Sequence, residues 1–207
     1  MCELGRLRDP LREGDHPRDV VIVLGGLLYR YTIGPEGVRQ IHSFYLPGEA
    51  PCLETLYIDY MDNNLGAVVE SRIGLIPHDQ IYDLIDRYPE ARKLLWRQTL
   101  VQGAIFREWL ARNSNLPAHG SLAHFFCEMF TRAKAGGLVT DDAFDLPVTQ
   151  ELVGDALGLT SARVNRTMKL LRDSSMVEWR ERRVAIRDFA GLAELADFKP
   201  RHLHLRR

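Results

Sequence analysis

The chain has 207 residues, 45% of them hydrophobic and 27% charged, the make-up of a globular protein of one or two domains. No apolar run reaches the roughly 18 residues of a membrane span, and none opens the chain as a secretory signal, so no membrane partner and a cytoplasmic setting are expected. Charge is divided: residues 147–207 hold twelve Lys/Arg and eight Asp/Glu, net +4, whereas residues 1–146 carry net −5, a split that suggests two jobs.

Residues 1–19 are charged and punctuated by Pro and Gly, and read as a loosely held lead-in. A β-type pattern follows. Residues 20–24 are a short apolar run, Gly25-Gly26 is a hairpin signal, and residues 27–32 continue as a strand. The turn Gly34-Pro35-Glu36-Gly37 precedes residues 38–44, where Val38, Gln40, His42 and Phe44 alternate with Arg39, Ile41, Ser43 and Tyr45. Pro47-Gly48-Glu49 breaks the run. Further strands are expected at 52–58, 65–70 and 72–76, which together suggest an antiparallel barrel or sandwich. The period becomes helical near Asp79, with Ile81, Leu84 and Ile85. Pro89 suits a first helical turn, and a long helix is expected to about Asn113. Leu94, Val101 and Ile105, with Leu110 as a further candidate, form one stripe on it, and the first three are the predicted dimer interface. Leu95, Trp96, Leu100, Phe106 and Trp109 enrich its other faces, so the helix needs more than one partner. After a break at 115–120, residues 122–135 form a second helix that Gly136-Gly137 ends. Residues 141–145 are an acidic connector.

The segment from Pro147 to Leu171 carries the chemistry. Thr149 is a good N-cap. Val153, Ala156 and Leu157 share one buried face, Gly158 permits a sharp turn, and Thr160 caps a second helix. Val164, Met168 and Leu171 face inward on that helix. Ala162, Asn165, Arg166 and Lys169 lie opposite, as a major-groove reader requires. Arg and Asn can pair two-pronged with guanine and adenine edges. Residues 177–180, Glu181-Arg182 and 183–186 then read as a β-hairpin with an arginine-rich tip. Residues 161–187 hold eight basic and three acidic groups. Arg180, Arg182 and Arg183 are expected to meet phosphates.

From about Val20 to Leu195 the chain resembles the Crp/Fnr family of bacterial transcription regulators. The strongest stretches are Leu146-Pro-Val-Thr-Gln, Ala156-Leu-Gly-Leu-Thr and Val164-Asn-Arg-Thr-Met-Lys-Leu-Leu171. The resemblance implies an α+β protein in three parts: an antiparallel, jelly-roll-like β-roll over 1–88, a dimerisation helix over 89–115, and a winged helix-turn-helix over 116–207. It implies a homodimer on double-stranded DNA with a two-fold-related operator. RNA polymerase is a further partner such a regulator can have. Arg166 matches the family's persistent base-contacting arginine, Asn165 a position that can touch bases, and Ser161 and Ala162 further recognition positions. Many members have glutamate where Ala162 stands. Arg163 and Lys169 suit phosphate or groove-edge roles, and Thr149 and Gln150 match the start of the first helix, which approaches the backbone. The N-terminus is short for the family, so part of the roll is expected to be missing.

The sensor half departs from the family. Gly48-Glu49 matches the cyclic-nucleotide cassette loosely, but Met61-Asp62-Asn63-Asn64 stands where an arginine is expected, so the cyclic phosphate lacks its charge partner and is not expected as a ligand. Cys2, Cys52 and Cys127 are too few and too scattered for a four-cysteine iron–sulfur site. A haem held through His42, His78 or a cysteine leaves little sequence trace and stays open. The effector is unassigned. No metal site is expected, because His42, His78, His119 and His124 lack metal-ligand spacing. No nucleophile elbow, P-loop or carboxylate pair points to an enzyme, and a cupin-like barrel would need ligands that are absent. Cys52 and Cys127 are read as small buried hydrophobes, with redox sensing the alternative. The tail Arg201-His202-Leu203-His204 with Arg206 and Arg207 is expected to be disordered. The expected function is a sequence-specific transcription regulator. The rival is a small-molecule or redox sensor acting through protein contacts, with a vestigial helix-turn-helix.

Overall fold

The computed structural model describes residues 1–205. They form two units, residues 1–104 and residues 105 onward, and the division falls inside one long helix.

The first unit contains β1 (Cys2–Leu4), β2 (Asp19–Gly25), β3 (Leu28–Ile33), β4 (Arg39–Tyr45), β5 (Asn64–Ala67) and β6 (Ser71–Pro77). They make two antiparallel sheets, ordered β1-β6-β2 and β4-β3-β5. Both sheets feed one core, which includes Val21, Val23, Leu28, Tyr45, Leu65 and Ile73. The roll is thus present, but several local expectations change. The lead-in is held: Cys2 pairs with Ile73, the Leu7 N–H donates to the Ala67 carbonyl at 2.8 Å, and Leu4 and Leu11 pack against the core. Backbone pairing does this work, and hydropathy does not reveal it.

Gly25-Gly26 does not make a hairpin. β2 pairs with β6, and β3 pairs with β4 and β5, so the turn carries the chain from one sheet to the other. Gly26 has φ +84°, and a Cβ there would lie 2.2 Å from Ser71 Oγ. The glycine serves a close approach as well as a left-handed backbone. The strict alternation read over residues 38–44 also fails. Arg30 pairs with Ser43 and Tyr31 with Ile41, a bulge that lets Ile41 and Phe44 both face inward although three residues apart. The strand expected over 52–58 is instead a 3-10 turn, Leu53–Leu56. The Thr55 hydroxyl donates to the Cys52 carbonyl at 2.8 Å. Arg30 donates to the Glu54 carboxylate and to the Pro51 carbonyl. Those partners are distant in sequence, so local alternation misleads.

Two helices continue the unit. α1 (His78–Arg87) buries Ile81 and Ile85 against Val20, Leu53 and Leu56, with Leu95 packed on the same cluster. Leu95 belongs to α2 (Pro89–Asn115), whose Pro89 opens the first turn where no N–H is needed. On α2 the predicted stripe divides. Val101 and Ile105 are only 8% and 7% exposed within a single chain, while Leu94 is 53% exposed. The opposite face leaves Trp96, Leu100 and Leu110 more than half exposed, so Leu110 does not belong to the stripe: sixteen residues after Leu94, it falls about half a turn away from it. Apolar residues occupy both faces of this helix, so periodicity alone selected the side its own chain covers.

The second unit contains the C-terminal part of α2, then α3 (Ala118–Ala135), β7 (Ala143–Asp145), α4 (Gln150–Leu157), α5 (Ser161–Asp173), β8 (Val177–Arg180), β9 (Arg183–Ile186) and α6 (Phe189–Leu195). α3 is almost wholly buried, and Gly137, at φ +71°, lets the chain leave it. The acidic connector is partly a strand: β7 pairs with β9 in a sheet ordered β7-β9-β8. No helix among the described residues is long and apolar enough to cross a membrane.

A buried carboxylate ties this unit together. Glu128 of α3 is 0% exposed. Trp109 Nε1 of α2 donates to both its oxygens at 3.0 Å, Arg132 lies at 3.1 Å, and His202 Nε2 lies at 3.1 Å. Burial pushes the Glu128 carboxyl up, but the His202 hydrogen bond and the Arg132 charge outweigh it and hold it below the ordinary value. His202 sits in a 3-10 turn, Pro200–Leu203, so residues 200–203 are ordered and docked, contrary to the expected disordered tail. Arg206 and Arg207 lie outside the described residues. The error has a clear source: histidine and arginine near a chain end read as solvated, whereas here a carboxylate 74 residues away in sequence buries one of them.

His124, 3% exposed, stacks on His202 with ring centroids 5.7 Å apart and meets Phe198 edge-on. Its Nε2 has no hydrogen-bond partner and lies 3.6 Å from Glu108. Burial holds its pKa below the ordinary value; Glu128 and Glu108 pull upward, while His202 and Arg112 push down. Such a group takes its proton more readily when unfolded. Its contribution to stability is therefore present above the unfolded pKa of about 6.5 and is lost as pH falls toward the lower folded pKa. Urea unfolding at pH 7 and pH 5 checks this: the native chain is expected to lose more stability over that interval than His124→Phe. Equal losses would show that His124 does not titrate with unfolding.

Candidate nucleic-acid interface

α4 and α5 are held by local chemistry. Thr149 Oγ1 accepts from the Leu152 N–H at 3.2 Å, which caps α4. Gly158 closes that helix at φ +66°. Gly154 lets the turn pack directly on the helix, since a Cβ there would meet the Leu159 carbonyl oxygen at 2.4 Å. Thr160 Oγ1 accepts from the Arg163 N–H at 3.3 Å and caps α5. Asn113 Nδ2 of α2 donates to the Ala156 carbonyl at 2.9 Å and anchors the end of α4.

Packing then sets the orientation of each side chain. Val153, Ala156 and Leu157 of α4 are buried, as are Val164, Thr167, Met168 and Leu171 of α5. The Thr167 hydroxyl donates to the Arg163 carbonyl at 2.8 Å, so this polar residue is buried but satisfied. Ser161, Ala162, Arg163, Asn165, Arg166 and Lys169 are all exposed. Asp173, at the end of α5, is the one acid in that helix. The outward face therefore presents small, amide and cationic groups as far as Lys169, followed by the exposed Leu170 and Asp173.

The hairpin of β8 and β9 pairs Val177 with Ile186, Trp179 with Val184, and Arg180 with Arg183. Trp179 meets Phe126 of α3 edge-on at 5.8 Å, which fixes the hairpin against the helices. Glu181, at φ +52°, and Arg182 form the tip. Arg183 faces Asp145 at 3.9 Å, and Arg187 lies 3.2 Å from Glu178. Arg163, Arg166, Lys169, Arg180 and Arg182 make no side-chain hydrogen bond or salt bridge among the described residues. A recess of about 270 Å³ lies where Thr149 and Gln150 approach Arg172, Trp179 and Glu181. The start of α4, the body of α5 and the hairpin thus share one side of the unit. Thr149 is exposed, with its hydroxyl engaged in the cap; Gln150 is half-buried. Arg172, on the rim of the recess, was not singled out from sequence, because its position off the α5 outward stripe gives no periodic signal.

The cysteines have different surroundings. Cys2 is exposed on β1, while Cys52 and Cys127 are buried. Burial pushes both buried thiols up to about 12, so at neutral pH neither is a thiolate poised for oxidation. Among the described residues no group of three or more His, Cys, Asp or Glu side chains is arranged to hold a metal ion.

Residues 120–195 match the model of the Crp-like helix-turn-helix domain. The anaerobic regulatory protein of Haemophilus influenzae is 26% identical over 184 residues, 89% of this chain and 71% of that protein. The fumarate and nitrate reduction regulatory protein of Vibrio cholerae is 26% identical over 185 residues, 89% and 74% of the two chains. Among solved structures, FixK2 from Bradyrhizobium japonicum is similar with a TM-score of 0.85 at 22% identity, covering 94% of this chain and 95% of its own. A CRP-family transcriptional regulator from Thermus thermophilus gives 0.73 at 19% identity, covering 96% and 97%. At these identities the structures support the fold.

Arg182 stands at the tip between β8 and β9, and the phosphate contact expected of it from sequence makes a testable prediction. Arg182→Ala is expected to weaken binding to all duplexes alike and to lower the slope of log affinity against log salt by about one. Fluorescence anisotropy over a potassium chloride series measures this. A sequence-dependent loss would instead make Arg182 a base contact.

Proposed function

The chain belongs to the Crp/Fnr family of transcription regulators, and from that premise we propose that it acts as a homodimer reading a two-fold-related DNA operator, one α5 to each half-site. The observation that carries this reading is the outward face of α5: Ser161, Ala162, Asn165, Arg166 and Lys169 are exposed on a capped helix, and Arg166 and Lys169 make no side-chain ion pair among the described residues. A helix of this kind fits the major groove, where arginine can grip guanine O6 and N7 and asparagine can grip adenine N6 and N7. Arg180 and Arg182 add phosphate contacts that set register without reading sequence.

The dimer contact in this proposal uses the face of α2 that carries Trp96, Leu100 and Leu110. Leu100 and Leu110 fall four and fourteen residues after Trp96, close to one and four whole turns, and large apolar groups left this exposed on one helix face call for cover. Of the stripe predicted from sequence, Val101 and Ile105 support their own chain, and Leu94 lies on that same side of the helix.

The signal in this proposal is not a cyclic nucleotide. Met61 is core, Asn63 is buried, and Arg30, a half-buried cation of the roll, is already held by Glu54 and the Pro51 carbonyl. A cyclic phosphate entering there would compete with a carboxylate for its charge partner. Redox switching through Cys52 or Cys127 is disfavoured by thiols held in the neutral form. Contact with RNA polymerase would depend on where the operator lies, and nothing in this reading requires catalysis.

Selection from a random duplex pool tests the proposal. The expected product has two related half-sites, and Arg166→Ala should cost about 1–3 kcal/mol and relax preference at one position per half-site. Equal recovery of all sequences at moderate salt would contradict it.

A further inference from the structure

We propose that Ala162 selects a thymine through its methyl group, so that each half-site carries a thymine close to the guanine gripped by Arg166. This rests on α5 acting as the DNA reader and carries that reading to a particular base. Four observations lead to it. Ala162 is exposed in the first turn of α5, the part of a recognition helix that reaches base edges. It lies three and four residues before Asn165 and Arg166, on the same face. The first turns of α5, from Ser161 to Lys169, carry no carboxylate, and Asp173 stands at the far end of the helix, so the cytosine N4 amine finds no charged acceptor beside Ala162. The hydroxyl of Thr160 is already committed to the cap.

What Ala162 can offer a base is a methyl surface. The base that answers it in the major groove is thymine, through its C5-methyl group. Alanine loses no side-chain freedom in such a contact, so the apolar burial is not offset by ordering. An exposed alanine also favours the helix itself, and that bland role would be indifferent to DNA sequence. The position along the groove follows from helix geometry. Four residues advance the helix by about 6 Å, and successive base pairs are about 3.4 Å apart, so the thymine should lie within about two base-pair steps of the guanine.

Exchange of thymine for uracil removes only the C5-methyl and keeps base pairing. In the full-length protein, on the duplex selected from the random pool, each thymine is replaced in turn. One replacement per half-site, close to the guanine, is expected to weaken binding about fourfold, the worth of one buried methyl. Ala162→Gly should bind the thymine duplex more weakly by a similar factor, show no further loss with uracil, and keep its guanine preference. Ala162→Ser is the second variant, should glycine loosen the first turn; it too should lose the distinction between thymine and uracil. If uracil is tolerated at every position, or if both variants respond to it as the native chain does, the methyl contact is overturned. A selected site with no thymine near the guanine overturns it as well, while leaving the DNA-reading role intact. If no sequence is selected, that role fails and the methyl contact falls with it.

Discussion

Glu128 is a charge with no access to water, set in the middle of a largely buried helix. A carboxylate in that position is costly unless every lone pair is answered. The answers come from the indole of Trp109 on α2, the guanidinium of Arg132 one turn along α3, and the imidazole of His202 near the chain's C-terminal end. Three segments far apart in sequence must therefore converge before the charge is satisfied. Removal of one partner from such a cluster typically costs about 3–5 kcal/mol, a large part of the stability of a domain. The cluster makes α3 a fixed platform. The hairpin packs on that platform through Phe126 and Trp179, and α5 packs against α3 as well, so the platform held by the buried ion cluster supports both elements.

The second unit is built as an asymmetry between its two sides. Its acids are largely committed: Glu128 to the buried cluster, Glu178 to Arg187, and Asp145 to Arg183. Among the described residues Arg163, Arg166, Lys169 and Arg182 make no side-chain ion pair, whereas Arg183 faces Asp145. A net charge of −1 for the whole chain conceals this arrangement. Local field, not total charge, draws a duplex to one surface. The first unit shows the contrary arrangement, with its half-buried arginine, Arg30, neutralised by Glu54.

How much of this was legible in the sequence depended on the range of the forces involved. The helix-turn-helix is specified by neighbours: Thr149 and Thr160 cap within three residues, Gly158 turns the chain, and the apolar faces follow helical spacing, so segment and outward residues could be read directly. The roll was legible as strands but not as topology. Gly25-Gly26 signals a turn whether it joins paired strands or crosses between sheets, and only Ser71, 45 residues on, decides the matter. Residues 52–58 alternate like a strand, but Arg30 reaches across to fix a 3-10 turn. The open face of α2 could not be chosen because both faces are apolar. The docked tail was missed because histidine reads as polar until its carboxylate is known.

The central claim is that Arg166 meets a guanine in the major groove. Methylation of guanine N7 by dimethyl sulfate, with and without protein, on the selected duplex, addresses that contact at the atom concerned. One guanine per half-site should be protected by the native chain and should lose protection in Arg166→Ala, while any protection elsewhere in the site persists. Unchanged protection in the variant, or no protected guanine in a duplex that is otherwise bound, would contradict the account.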